Sequence, residues 1–294
     1  MFLNCWKISD SLKATLSKLR VNLRAAEADV IENSPILEGR QATTFRSGTM
    51  RCAYLARDRV DISEAVKCLA RAMSKPRAGH VTQLKRLARY LKGVPRKAQQ
   101  YPAQEPSTAH LEIHVDSDWA GDTVTRRSTS GVIAQRGRHM LRHSSTVQNV
   151  IGLSSAESEY YALTKGGFTG LGLQSLFADW KVNLRLSLHT DSSSAKAVAS
   201  RRGADKSTRH IQTRMLWLQE RVAAKHLRVA KVATEPNPAD MLTKALVRSK
   251  VEKYVQRLVK QMDMRMCGRW TVVEPEGIIE HRHYAIGSVR GNLS

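Results

Sequence analysis

The chain has 294 residues, with 48 Lys and Arg against 26 Asp and Glu, for a formal net charge of +22 at pH 7. That length allows one large or two ordinary domains without staples, and a basic excess spread along the whole chain points to a polyanionic partner, nucleic acid before an acidic lipid surface. Four scattered cysteines (Cys5, Cys52, Cys68 and Cys267), a start without an apolar leader and the lack of any span-length apolar run argue against a disulfide framework, a zinc site and a membrane protein. The expected location is therefore intracellular, cytoplasmic or nuclear, and not secreted.

The first third reads as helical. Leu12, Leu16, Leu19, Leu23, Ala26 and Val30 form one apolar stripe behind Ser9-Asp10-Ser11. Asp61-x-x-Glu64 resembles a capping box, followed by Ile62, Ala65, Val66 and Leu69 on one face. A further helix over 79–92 turns Val81, Leu84, Ala88 and Leu91 inward and carries Lys85, Arg86, Arg89 and Lys92 on its other faces. Gly93-Val94-Pro95 stops it, and the polar stretch Gln99–Ser107 reads as a linker.

After the linker the period changes to two. Leu111, Ile113 and Val115 alternate with Glu112, His114 and Asp116, a half-buried strand. Gly131–Gln135 and His139–His143 follow as strands joined at Gly137, and a long helix covers 155–179, weakened by Gly166, Gly167, Gly170 and Gly172. Leu184, Leu186 and Leu188 mark a strand ending at Asp191. Helices near 192–200 and 208–225, a strand Leu227–Val232 and a helix from Pro238 complete the order β-β-β-α-β-α-α-β-α. That order implies an α/β fold, a mixed sheet with helices on its faces. The segment from 249 begins as an amphipathic helix (Val251, Val255, Leu258, Met262) and has no role that the residues reveal.

Four acidic motifs stand out: His114-Val-Asp-Ser-Asp-Trp-Ala-Gly-Asp122, Ser154-Ser-Ala-Glu-Ser-Glu-Tyr160, Thr190-Asp-Ser192 and Asn237-Pro-Ala-Asp240. Each carboxylate but one has a local explanation. Glu157 completes a capping box with Ser154, Asp191 suits an N-cap, Asp240 is an acidic residue after Asn237 and an N1 proline, and Asp116, Asp118 and Asp122 suit turns. Glu159, on the other side of its helix from Glu157, has none. Strand ends and helix starts converge on one sheet edge in α/β proteins. Carboxylates gathered there in a basic protein require a hard divalent cation, and two such ions serve phosphodiester chemistry.

The same residues carry a resemblance. Asp116-Ser-Asp-Trp-Ala-Gly-Asp122, Arg127-Ser-Thr-Ser-Gly131, Leu153-Ser-Ser-Ala-Glu-Ser-Glu-Tyr-Tyr-Ala-Leu163, His189-Thr-Asp-Ser192, Arg209-His-Ile211 and Ala239-Asp-Met-Leu-Thr-Lys244 resemble the ribonuclease H domain of copia-type LTR retrotransposon Pol polyproteins, over about 108–248. Upstream, Tyr54–Ile62, Met73–Pro76 and Leu84–Gly93 are similar to the end of the reverse transcriptase of that polyprotein, its thumb and connection.

The resemblance implies a ribonuclease H-like mixed five-stranded sheet preceded by a helical region over 1–107. It implies Asp116, Glu159, Asp191 and Asp240 as catalytic, metal-binding residues for two Mg²⁺ ions, with Mn²⁺ able to substitute. The activity implied is endonucleolytic hydrolysis of the RNA strand of RNA–DNA hybrids, with the 2′-OH distinguishing RNA from DNA. Expected partners are the hybrid and the rest of a Pol polyprotein, with no membrane. Arg126, Arg127, Ser128, Thr129, Lys206, Arg209 and His210 are candidates for contact with the hybrid backbone. No Tyr-x-Asp-Asp motif occurs, so polymerisation is not expected. The competing reading is a catalytically inactive, transposon-derived nucleic-acid-binding protein. An integrase-like site is disfavoured because its glutamate would come last and here it comes second.

Overall fold

The computed structural model describes residues 30–94, most of 98–258, and 261–262, 271–274 and 277–280. The expected first helix (apart from Val30), most of the linker and segments 204–210, 212–215 and 234–236 lie outside the described residues.

Period-two alternation becomes sheet. β1 (His110–Asp118), β2 (Thr129–Arg136) and β3 (His139–Val147) form an antiparallel meander, and β4 (Arg185–Thr190) and β5 (Leu227–Lys231) extend it in parallel. The order across the sheet is β3-β2-β1-β4-β5, the mixed five-stranded α/β architecture expected. Gly137 makes the β2–β3 turn with φ of 56°, a conformation that glycine adopts without strain.

On one face Leu111, Ile113 and Val115 of β1 and Leu186 and Leu188 of β4 are buried against α4 (Ser155–Asp179). The glycines of α4 explain how closely it lies. A Cβ on Gly166 would stand 2.5 Å from Val115 Cγ1, and one on Gly170 2.5 Å from Leu186 Cδ1. Far from loosening the helix, they let it seat on the sheet, which offsets the roughly 1 kcal/mol of helix propensity each gives up. α5 (Ser193–Ser200) and α6 (Trp217–Ala223) complete this layer. The helix expected over 208–225 is described only as α6. The helix expected from Pro238 is a 3-10 turn, Pro238–Leu242, whose five residues are all buried against the sheet.

The opposite face is covered from the C-terminal side. Ile133 and Met140 pack with Met241, Leu242 and the apolar stripe Val251, Tyr254, Val255 and Leu258 of α7 (Arg248–Leu258). The segment after 248 thus contributes core.

Upstream, α1 (Gly39–Leu55), a 3-10 turn (Val60–Ile62), α2 (Ser63–Arg71) and α3 (Ala78–Gly93) enclose Phe45, Cys52, Ile62, Val66, Leu69, Leu87 and Tyr90. α1 was not foreseen, because its buried positions Ala42, Phe45, Thr49 and Cys52 include one large apolar side chain. The supposed capping box at 61–64 is corrected. Asp61 is buried in an ion pair with Arg59, 2.8 Å, and accepts from the Tyr90 hydroxyl, while Glu64 faces Cys68 and Lys67. Of the residues expected inward on α3, Val81, Leu84 and Leu91 pack against this core, whereas Ala88 is exposed; the helix's buried residues are Leu87 and Tyr90, whose hydroxyl reaches Asp61. These helices touch the sheet through Lys67 Nζ, which donates to Thr129 Oγ1 at 2.9 Å, and through His143 Nε2, 2.8 Å from Ala56 O.

Candidate active site

Three of the four expected carboxylates come together. Asp116 near the end of β1, Glu159 in the first turns of α4 and Asp191 just past β4 each offer an oxygen within 4.8 Å of the other two. Asp116 and Glu159 are buried, at 1% and 6% exposure. Asp240 adjoins this trio and is linked to it by Lys244, which pairs with Asp240 and stands 3.6 Å from Asp116 Oδ2.

Local structure explains why these four are available. Ser154 caps α4 by accepting from Glu157 N at 3.2 Å, as expected, but the Glu157 carboxylate reaches one residue further back, to Leu153 N at 2.8 Å. With the helix start satisfied, Glu159 points the other way and accepts from Ser117 N at 3.1 Å. Asp191 is not an N-cap. Ser192 takes that role, accepting from Ala195 N at 3.1 Å, which frees the Asp191 carboxylate. Asn237 caps its turn through Ala239 N and also donates from Nδ2 to Val115 O at 2.8 Å, so Asp240 is tied to the strand that carries Asp116. Asp118 and Asp122 are structural. Asp118 accepts from Thr129 N, and Asp122 pairs with Arg71 and accepts from the Thr125 hydroxyl.

The electrostatics follow from burial. Desolvation pushes the Asp116 carboxyl up to about 6 against the opposing pull of Lys244 and Thr243. Glu159 is pushed up to about 8, first by burial and then by Asp116 and Asp191. Burial alone would lower Lys244, but Asp116 and Asp240 outweigh it and hold the ammonium well above its usual range. The Thr243 hydroxyl donates to Asp116 Oδ2. Glu159 Oε2 is buried and, among the described residues, has no hydrogen-bond partner. A buried carboxylate oxygen left bare beside two other carboxylates is costly unless a cation serves it. An all-oxygen, mostly carboxylate donor set suits a hard divalent ion such as Mg²⁺.

Thr243 and Lys244 have roles that the sequence reading did not assign. The available signal was a basic residue four positions after Asp240. The pair His114 and His189 was also missed. Cross-strand neighbours on β1 and β4, their rings stack at 4.9 Å, and burial lowers both, His114 to about 4. Both are therefore neutral near pH 7 and add no positive charge beside the carboxylates.

The other candidates are dispersed. Arg126 and Arg127 are exposed on the β1–β2 loop, whereas Ser128 and Thr129 are buried at 0% and 3%. Ser128 Oγ accepts from Ala120 N and Thr129 from Lys67, so their hydroxyls serve the loop and not a surface. Lys206, Arg209 and His210 lie outside the described residues.

No protein-family model matches the chain. It is 31% identical over 195 residues to the retrovirus-related Pol polyprotein from transposon TNT 1-94 of Nicotiana tabacum, covering 66% of this chain and 14% of that protein. It is 30% identical over 218 residues to the corresponding polyprotein from transposon RE1 of Arabidopsis thaliana, covering 74% of this chain and 15% of that protein. The chain thus spans a small part of the relatives it matches. Among solved structures it is similar to LC11-RNase H1 in complex with RNA/DNA hybrid, at 16% identity and a TM-score of 0.34, covering 47% of this chain and 97% of that one.

Proposed function

The chain belongs to the retrovirus-related Pol polyproteins of transposons, and on that premise we propose that it hydrolyses the RNA strand of RNA–DNA hybrids endonucleolytically, as a ribonuclease H acting in reverse transcription. One observation carries the reading: the bare, buried Glu159 Oε2 in a trio whose oxygens lie within 4.8 Å of one another. A basic chain of net charge +22 that retains an acidic pocket suits a polyanionic substrate and a cationic cofactor at once.

In this reading Asp116, Glu159, Asp191 and Asp240 hold two Mg²⁺ ions, or Mn²⁺ in their place. When bound, such ions activate a water and stabilise the leaving oxygen of a phosphodiester. The chain's own residues prepare the set. Ser117 N–H fixes one Glu159 oxygen and leaves the other free, the Thr243 hydroxyl orients Asp116, and the Asn237 clamp on Val115 holds Asp240 at the trio's edge. Lys244 offsets the mutual repulsion of Asp116 and Asp240. Arg126 and Arg127 contact the hybrid backbone, as do Lys206, Arg209 and His210. Residues 108–248 are the catalytic part, 1–107 derive from the end of a reverse transcriptase, and the rest of a Pol polyprotein is a further partner.

The test is one assay with purified protein, a labelled RNA–DNA hybrid, Mg²⁺ or Mn²⁺, and Asp116→Asn as control. The expected result is metal-dependent cutting of the RNA strand alone, lost in Asp116→Asn while binding persists. Hybrid binding without cutting would instead identify an inactive nucleic-acid-binding protein.

A further inference from the structure

Trp119 is an aromatic side chain held outward beside the acidic trio. It follows Asp116 by three residues and is 52% exposed. Its indole Nε1–H donates to Gly152 O at 3.1 Å, in the loop that leads into α4 and Glu159. This single bond fastens the strand-end loop of Asp116 to the helix-start loop of Glu159 and fixes the ring's orientation.

The backbone under the ring is built for that presentation. Ala120 adopts φ of 51°, a left-handed conformation that costs a non-glycine residue energy. Its N–H is held by Ser128 Oγ at 3.0 Å. Gly121 folds so tightly over Asp118 that a Cβ there would stand 2.1 Å from Asp118 Oδ2. The two loops that Trp119 joins carry further exposed apolar side chains, Val124 at 64% on its own loop, and Ile151 at 54% and Leu153 at 68% on either side of Gly152. Arg126 and Arg127 are exposed on the same loop as Trp119.

An exposed aromatic with apolar and arginine neighbours is the composition that binds nucleic acid by stacking and backbone contact together. A hydrated surface alone would not select it, since ordering an apolar patch against water brings no gain. We propose that Trp119 is a packing platform for a nucleotide of the bound strand, its ring face against a base or ribose, flanked by Ile151 and Leu153, with Arg126 and Arg127 taking adjacent phosphates. This rests on the ribonuclease H reading and adds to it a non-ionic determinant of where the hybrid sits.

The experiment measures binding and not cleavage. In the Asp116→Asn chain, anisotropy of a labelled RNA–DNA hybrid is titrated at several salt concentrations for Trp119→Ala, Trp119→Phe and Trp180→Ala, with thermal melts to verify folding. Trp180 is 64% exposed and serves as the control indole. Trp119→Ala should weaken binding about tenfold with an unchanged salt slope, because a stacking contact releases no counterions. Trp119→Phe should recover most of the loss, and Trp180→Ala should change nothing. Binding by Trp119→Ala within twofold of its parent overturns the proposal, as does an equal loss in Trp180→Ala. A parent chain that fails to bind the hybrid overturns both this proposal and the function on which it rests.

Discussion

Glu157 and Glu159, two positions apart on α4, face in opposite directions: Glu157 accepts from Leu153 N at the helix start, and Glu159 accepts from Ser117 N at the sheet edge. A helix turn of 3.6 residues sets residues two apart nearly opposite one another, so one carboxylate serves the helix and the other the site. Glu157→Gln should therefore lower stability by about 1 kcal/mol and leave cleavage largely intact. Glu159→Gln should abolish cleavage with no loss of stability. Urea denaturation beside the cleavage assay separates them, and equal cleavage by both variants would refute the assignment.

The raised carboxyls make stability depend on pH. Glu159 sits at about 8 against an ordinary 4.5, and Asp116 at about 6 against 3.8. The folded chain binds these protons more tightly than the unfolded one, so their contribution is complete below about pH 4 and is lost as pH rises through 6 and 8. In EDTA, the unfolding free energy from urea titrations should fall from pH 5 to pH 8, by an amount on the order of a few kcal/mol in total. Asp116→Asn with Glu159→Gln should flatten that slope. A slope unchanged by the pair of substitutions would place its origin elsewhere.

Lys244 tests how much of the repulsion a fixed cation removes. Lys244→Met leaves Asp116 and Asp240 without their shared ammonium. The metal-free melting temperature at pH 8 should drop by a few degrees, in line with roughly 1 kcal/mol for an ion pair whose lysine is exposed. Added Mg²⁺ should then raise it more than in the parent chain. Calorimetric melts with and without Mg²⁺ decide the matter, and an equal Mg²⁺ effect in both chains would remove Lys244 from the site.

The glycines of α4 give opposite expectations along one helix. Gly170→Ala would press a methyl onto Leu186 and should cost roughly 1–3 kcal/mol. Gly172, which faces open space, should gain up to about 1 kcal/mol when replaced by Ala. Urea midpoints of the two variants should move in opposite directions.

Much of the fold could be read from periodicity. The alternation Leu111-Ile113-Val115 is a strand with those three residues buried, and the limits 155–179 for the long helix match the structure. Where a buried face is polar or carries few large side chains, the pattern was silent: α1, with Thr49 and Ala42 inward, was missed. Asp61 was misread because a carboxylate near a helix start looks the same whether it caps the helix or pairs with Arg59. Ser128 and Thr129 looked like surface loop residues and are buried supports.

The sequence by itself determined the order of strands and helices along the chain, the placement of each carboxylate at a strand end or helix start, and the basic charge of the surroundings, because these follow from local periodicity and composition. Only the tertiary structure decided which acids are spared for the site. Ser192 rather than Asp191 caps α5, Arg71 takes Asp122, Thr129 takes Asp118, and Lys244 bridges Asp116 and Asp240. The physical reason is that a carboxylate's role is set by which donors reach it, and donors distant in sequence are brought near only by folding.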